Sequence, residues 1–190
     1  MKRVKDLAMG AAAALSLAGV SSASAANWDP QNTNVTMTQE GASTIVFSGG
    51  AALTCVSGDT VVRATGAALT TVTTPNPLTL VNCHSPILGP VTVTTFGQVR
   101  FTATSTTSVD ATWTSATGTV STLHFPNLAC DITVPSPVSI PNNAWNNTNH
   151  TLAFNSTVSI PMVTTGVFCN TLGTSLTLNA NFVASALTIT

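Results

Sequence analysis

From Val91 to Thr94 apolar and polar side chains trade places residue by residue, which is the period of a strand with one covered face. Gln98 to Thr104 repeats it through Val99, Phe101 and Ala103. Leu152 to Ile160 repeats it through Leu152, Phe154, Ser156, Val158 and Ile160. Near the end Leu176, Leu178, Ala180 and Phe182 alternate, as do Leu187 and Ile189 after a shift. Shorter β-like runs cover 44–47, 52–56, 60–64, 67–74, 78–82, 109–114, 119–125 and 129–134. Ser57-Gly58-Asp59 separates two of these runs and predicts a hairpin turn. Val138-Ser139-Ile140 is bracketed by Pro135, Pro137 and Pro141, so it reads as an edge strand or an irregular connection. The segment from Asn142 to Asn149, with five Asn around Trp145, reads as a loop. After residue 25 no window offers three turns of a capped amphipathic helix. Short strands separated by Gly, Pro and Asn predict an all-β fold, an antiparallel β-sandwich or partly closed barrel.

The first residues follow a different rule. Lys2, Arg3 and Lys5 precede an apolar run from Leu7 to Val20, and Ala23-Ser24-Ala25 then supplies small residues at a cleavage point. This is the three-part pattern of a secretory signal peptide, which looks bacterial, and it makes residues 1–25 a leader with Ala26 the first mature residue. The run is shorter than the roughly 20 apolar residues of a membrane-spanning helix, so no transmembrane segment is expected after cleavage. Residues 26–44 are polar and read as an N-terminal arm, in which Asn34 to Thr38 alternates as an edge strand. Residues 45–190 form the β-domain. A cysteine-bearing run followed by an alternating strand occurs near Cys83 and again near Cys169, which raises two pseudo-repeats, 45–118 and 119–190.

Removing the leader changes the charge argument. Only Arg63 and Arg100 remain basic, against five acidic side chains, for a mature net charge of −3. Two arginines cannot neutralise a run of phosphates, so nucleic acid and anionic lipid are excluded as partners. The high apolar content with little charge is the opposite of a disordered chain. Solubility then rests on neutral polar side chains. Threonine holds 35 of the mature positions, and its branched Cβ favours extended backbone while its hydroxyl faces water.

Cys55, Cys83, Cys130 and Cys169 are even in number in an exported chain and read as two disulfides. Three connectivities exist; Cys55–Cys83 with Cys130–Cys169 is favoured because each bridge staples one half. No pair has C-x-x-C spacing and no zinc signature is present, so neither metal nor cofactor is expected. His84, His124 and His150 have no nucleophile elbow or carboxylate cluster around them in sequence, and catalysis is not expected. Asn34, Asn146, Asn149 and Asn155 match the N-x-S/T pattern and mark surface.

Two functions fit a secreted or cell-surface protein of this kind. One is a structural, self-associating envelope component that pairs strand edges. The other is a binding module for a glycan or small apolar ligand, with Trp145, Trp113 and Trp28 as contacts. Trp145 is the leading candidate, because an indole among amides suits a sugar ring.

Overall fold

In the computed structural model the described residues are 26–31, 33–57, 60–64, 70–74 and 76–190; residues 1–25, read from the sequence as a leader, lie outside them. A short strand, β1 (Trp28–Asp29), precedes eight long paths that run up and down in sequence order. The first path is β2 (Asn34–Gln39) and β3 (Ser43–Phe47); the second is β4 (Ala52–Ser57) and β5 (Thr60–Ala64). The third is β6 (Thr71–Thr73) and β7 (Leu80–Ser85); the fourth is β8 (Gly89–Thr95) and β9 (Gln98–Ser105). The fifth is β10 (Ser108–Thr114) and β11 (Thr119–Phe125); the sixth is β12 (Cys130–Pro135) and β13 (Val138–Asn146). The seventh divides into β14 (Thr151–Ala153), β15 (Ile160–Pro161) and β16 (Val163–Thr165). The eighth is β17 (Ser175–Asn179) and β18 (Asn181–Val183), and β19 (Thr188–Ile189) follows.

Every ladder is antiparallel, and the paths stack as two storeys. The upper storey is a closed ring, β10-β13-β14-β18-β2-β5-β6-β9. The lower is a nine-stranded sheet, β15-β17-β3-β4-β7-β8-β11-β12-β16. Its two terminal strands, β15 and β16, are consecutive pieces of the seventh path. Both storeys therefore visit the same eight paths in the same order, and the molecule is an up-and-down barrel interrupted at mid-height. β1 pairs with β19 as a two-stranded strap at the upper end.

The alternation seen in the sequence sorts inside from outside. Val35, Met37, Ile45, Phe47, Leu53, Val99, Phe101, Leu123, Ile132, Leu152 and Phe182 are buried, with mainly Thr and Ser between them facing water. Phe101, Phe154 and Phe182 meet edge to face in the upper storey, and Phe47 meets Phe125 in the lower. The mid-height break has a visible cause at Gly97, whose φ is +74°. A Cβ there would stand 1.9 Å from the Thr114 carbonyl oxygen, so the fourth and fifth paths approach too closely for any side chain. Trp113 bridges the same break by donating its Nε1–H to the Phe96 carbonyl at 2.8 Å.

Both favoured disulfides form, Cys55–Cys83 and Cys130–Cys169. The first joins neighbouring paths facing the barrel interior. The second ties the start of β12 to a 3-10 turn, Cys169–Leu172, in the connection between the seventh and eighth paths. The barrel form of the expected fold is the one adopted.

Three local expectations need correction. β4 and β5 are not the arms of one hairpin. β4 pairs with β3 and β7, while β5 pairs with β2 and β6, so the two are successive pieces of one path. Gly58 and Asp59, of the expected turn, lie outside the described residues. β2, expected as an edge strand of a polar arm, is paired on both sides, because barrel closure places β18 against it. The segment 142–149 is mostly strand. β13 continues through Pro141 and a bulge to Asn146, and only the residues beyond it form the turn. That bulge is held by Asn143, fully buried. Its amide donates to Val109 and Ile140 carbonyls, and its oxygen accepts from the Asn155 N–H. The first and eighth paths pair, so segments 45–118 and 119–190 contribute to one ring.

Candidate functional site

The three tryptophans do different structural jobs, set by the paths that carry them. Trp28 is 1 % exposed and Trp145 is 3 % exposed, and the two meet edge to face at 5.0 Å under the strap. Trp145 sits in β13 opposite Leu152 of β14, in the upper ring. Its Nε1–H donates to the Asn147 side-chain oxygen at 2.6 Å. Asn147 also accepts from the Ile189 N–H and donates to the Ile189 carbonyl, both at 2.8 Å. One asparagine thus clasps β19 to the turn beyond β13. Both candidate indoles are anchored as lids of the barrel, with their faces covered. The indole N–H of Trp28 is buried without a hydrogen-bond partner among the described residues. Trp113 is half-buried and points into the interior at the mid-height break.

The barrel interior is filled by side chains. A cavity of about 40 Å³ lies at the break, walled by Ile45, Trp113, Leu123, Val134, Ile160 and Leu176. A neighbouring one of about 10 Å³ lies among Leu78, Val99, Ala111 and Phe154. Ligand pockets for small molecules run to roughly 300–1,000 Å³. These two cavities among the described residues have room for a water molecule and not for an acyl chain.

Among the described residues, space on that scale is found in open grooves outside. One, about 650 Å³, follows the upper rim past Thr107, Asn146, Asn147, Thr148 and Thr151, with Trp145 beneath. It is lined by hydroxyls and amides, the chemistry that hydrogen-bonds a neutral polar ligand, and no ionisable side chain lines it. A second groove, about 380 Å³, crosses the lower wall between β7 and β8 along Val81, Asn82, Pro90 and Thr92. Asn82, at φ +51°, lies at the bulge where the β4–β7 register shifts. The second groove lies between strands consecutive in sequence, whereas the first depends on the β9–β10 turn being brought beside β13 and β14, which sequence spacing does not reveal.

The ionisable groups lie apart. His124 and Asp131 face each other at 2.6 Å across β11 and β12, on the exposed wall. His150 Nδ1 bonds to the Leu187 carbonyl at 2.8 Å in the turn near the strap. His84 is exposed on β7. Among the described residues no three His, Cys, Asp or Glu side chains gather as a metal site, and no helix is long and apolar enough to cross a membrane.

Several apolar side chains are exposed on the lower storey, Val46, Val56 and Val81 among them. Ile87 projects from the turn between β7 and β8. Val163 projects from β16, and Val167 and Phe168 from the connection that follows it. Compared with protein-family profiles, characterised proteins and solved structures, the chain finds no match.

Proposed function

We propose that the chain is an exported, non-catalytic structural or surface protein that works through its outer wall and associates with copies of itself. The observation that carries this reading is the filled interior. Its cavities of about 40 and 10 Å³ leave recognition to the outside of the barrel. Export rests on the leader pattern of residues 1–25, and two disulfides suit an oxidising compartment. A mature sequence with two arginines, five acidic residues and many threonines offers weak electrostatic repulsion between copies.

Sedimentation velocity on the mature protein, residues 26–190, over a hundredfold range of concentration tests the reading. Association that grows with concentration is expected. A sedimentation coefficient that stays monomeric throughout would sink it. Deleting residues 26–44 is not a usable control, because β2 belongs to the ring.

A second reading is favoured by one observation, the upper groove of about 650 Å³ lined by amides and hydroxyls. It is a neutral glycan site. Glycan-array binding that is lost in Asn146→Ala/Thr151→Ala at unchanged melting temperature would support it. Absence of signal on every glycan would remove it. Trp145→Ala cannot serve here, since that indole is buried under the strap.

A further inference from the structure

The outer wall of the upper ring carries a groove of about 280 Å³ between β9 and β10, lined by Arg100, Thr102, Thr112 and Thr114. Alternation puts these four side chains outside, because Val99, Phe101, Ala103 and Ala111 between them are buried in the ring. Arg100 stands directly opposite Thr112, and Thr102 and Thr114 flank that pair on opposite sides. Among the described residues, neither the Arg100 guanidinium nor the three hydroxyls has a hydrogen-bond partner, and the guanidinium has no carboxylate in ion-pair contact. Thr95, Thr104 and Thr117 differ, since each donates its hydroxyl to a nearby carbonyl. The groove thus gathers one cation and three hydroxyls, all of them unengaged.

The charge pattern of the ring adds a second observation. Arg63, the only other basic residue of the mature sequence, holds the register position opposite Thr73, and Thr73 stands opposite Arg100. Both basic positions therefore fall in one row, Asn34-Arg63-Thr73-Arg100-Thr112-Ser139, which contains no acidic residue. Two strand spacings separate them, about 10 Å at roughly 4.8 Å each. The nearest carboxylate along β10 is that of Asp110, opposite Thr102, and it accepts the Asn142 N–H at 2.9 Å. In a mature sequence of net charge −3, this row is where positive charge collects.

We infer that this groove binds an acidic glycan, with Arg100 on the carboxylate of a uronate unit and the threonines on its ring hydroxyls. The planar fork of a guanidinium matches a carboxylate through two parallel N–H···O bonds. A threonine hydroxyl both donates and accepts, as a sugar hydroxyl does. A phosphate backbone or an anionic membrane needs many more cations than one row with two arginines supplies. A peptide would look for a pocket to take an apolar anchor, and no apolar side chain lines this groove. Neither self-association nor the neutral groove at the upper rim is required for it.

Isothermal titration of the mature protein in low salt with hexagalacturonate, and with its neutral methyl ester, tests the site. The acid is expected to bind about tenfold or more tighter than the ester, because a charge-assisted pair of hydrogen bonds is replaced by neutral ones. High salt is expected to weaken binding of the acid and leave the ester unchanged. Arg100→Gln is expected to abolish the preference at an unchanged melting temperature, since Arg100 is exposed. Arg100→Lys, which keeps the charge without the fork, is expected to retain part of it. Asp110→Asn removes the competing carboxylate while keeping an oxygen for the Asn142 N–H, and is expected to tighten binding of the acid about twofold. Equal binding of acid and ester, an Arg100→Gln variant that binds the acid like its parent, or no binding of either overturns the inference. Acetate that displaces hexagalacturonate at equal carboxylate concentration overturns the glycan in favour of a simple anion site. Self-association is read separately by sedimentation, so either proposal can fail while the other stands.

Discussion

The two storeys of the barrel are built from the same eight paths, yet they end differently at the seventh. Above, β14 has β13 on one side and β18 on the other, and the ring closes. Below, β15 and β16 take one neighbour each, and the sheet stops. The chain around β14 returns through the short turn that follows β13, with Asn147 clasping β19 beside it. The chain after β16 passes through a longer connection that a disulfide pins into a 3-10 turn. Closure thus depends less on strand propensity than on where the connections let the chain go. Strands of equal quality become ring or edge by that difference.

The comparison can be broken most forcefully in the upper storey. Phe101 is fully buried and packs on Phe154, which packs on Phe182. Phe101→Ala is expected to cost about 3–5 kcal/mol in urea unfolding, through lost transfer energy and a cavity. Hydrogen exchange should then accelerate across the whole ring, because a closed ladder opens as a unit.

Removing the lower clasp has a comparable but more local effect. Cys130→Ala/Cys169→Ala is expected to cost about 3–4 kcal/mol by loop-closure reasoning. Exchange should rise first in residues 160–174, while β14 and β18 stay protected. If the ring loses protection at the same denaturant concentration, the two storeys are not separable and the comparison fails.

Asn143 tests the join between strand and bulge. Asn143→Ala strands two carbonyls and the Asn155 N–H in a buried place, an expected loss of about 1–3 kcal/mol by thermal or urea unfolding. The smallest effect belongs to the exposed pair of His124 and Asp131 on the lower wall. Their side chains are 53 % and 62 % exposed, so Asp131→Asn should change stability by under about 1 kcal/mol in low salt, and by less in high salt.

Much of the secondary structure was legible because its signal is local. Alternation at Val99, Phe101 and Ala103 marks the buried face whatever lies across from it. The two disulfides were legible from the even number and spacing of the cysteines. The candidate tryptophans show the limit. Trp145 among asparagines looks like an exposed stacking surface in one dimension. In three it is a lid, because β19 returns from the far end of the chain to cover it.

The amino-acid order alone determined that the chain is extended, antiparallel and stapled, since each of those follows from the side-chain period, the turn residues and the cysteine count. The tertiary structure decided what is continuous and what is paired. Ser57-Gly58-Asp59 has the residues of a hairpin turn, yet the ladders on either side belong to one path. Pro141 reads as the end of a strand, yet the bulge held by Asn143 carries the strand past it. Which strands become neighbours depends on how eight paths close into one barrel. That closure satisfies backbone groups far apart in sequence, and no short window of the chain contains both partners.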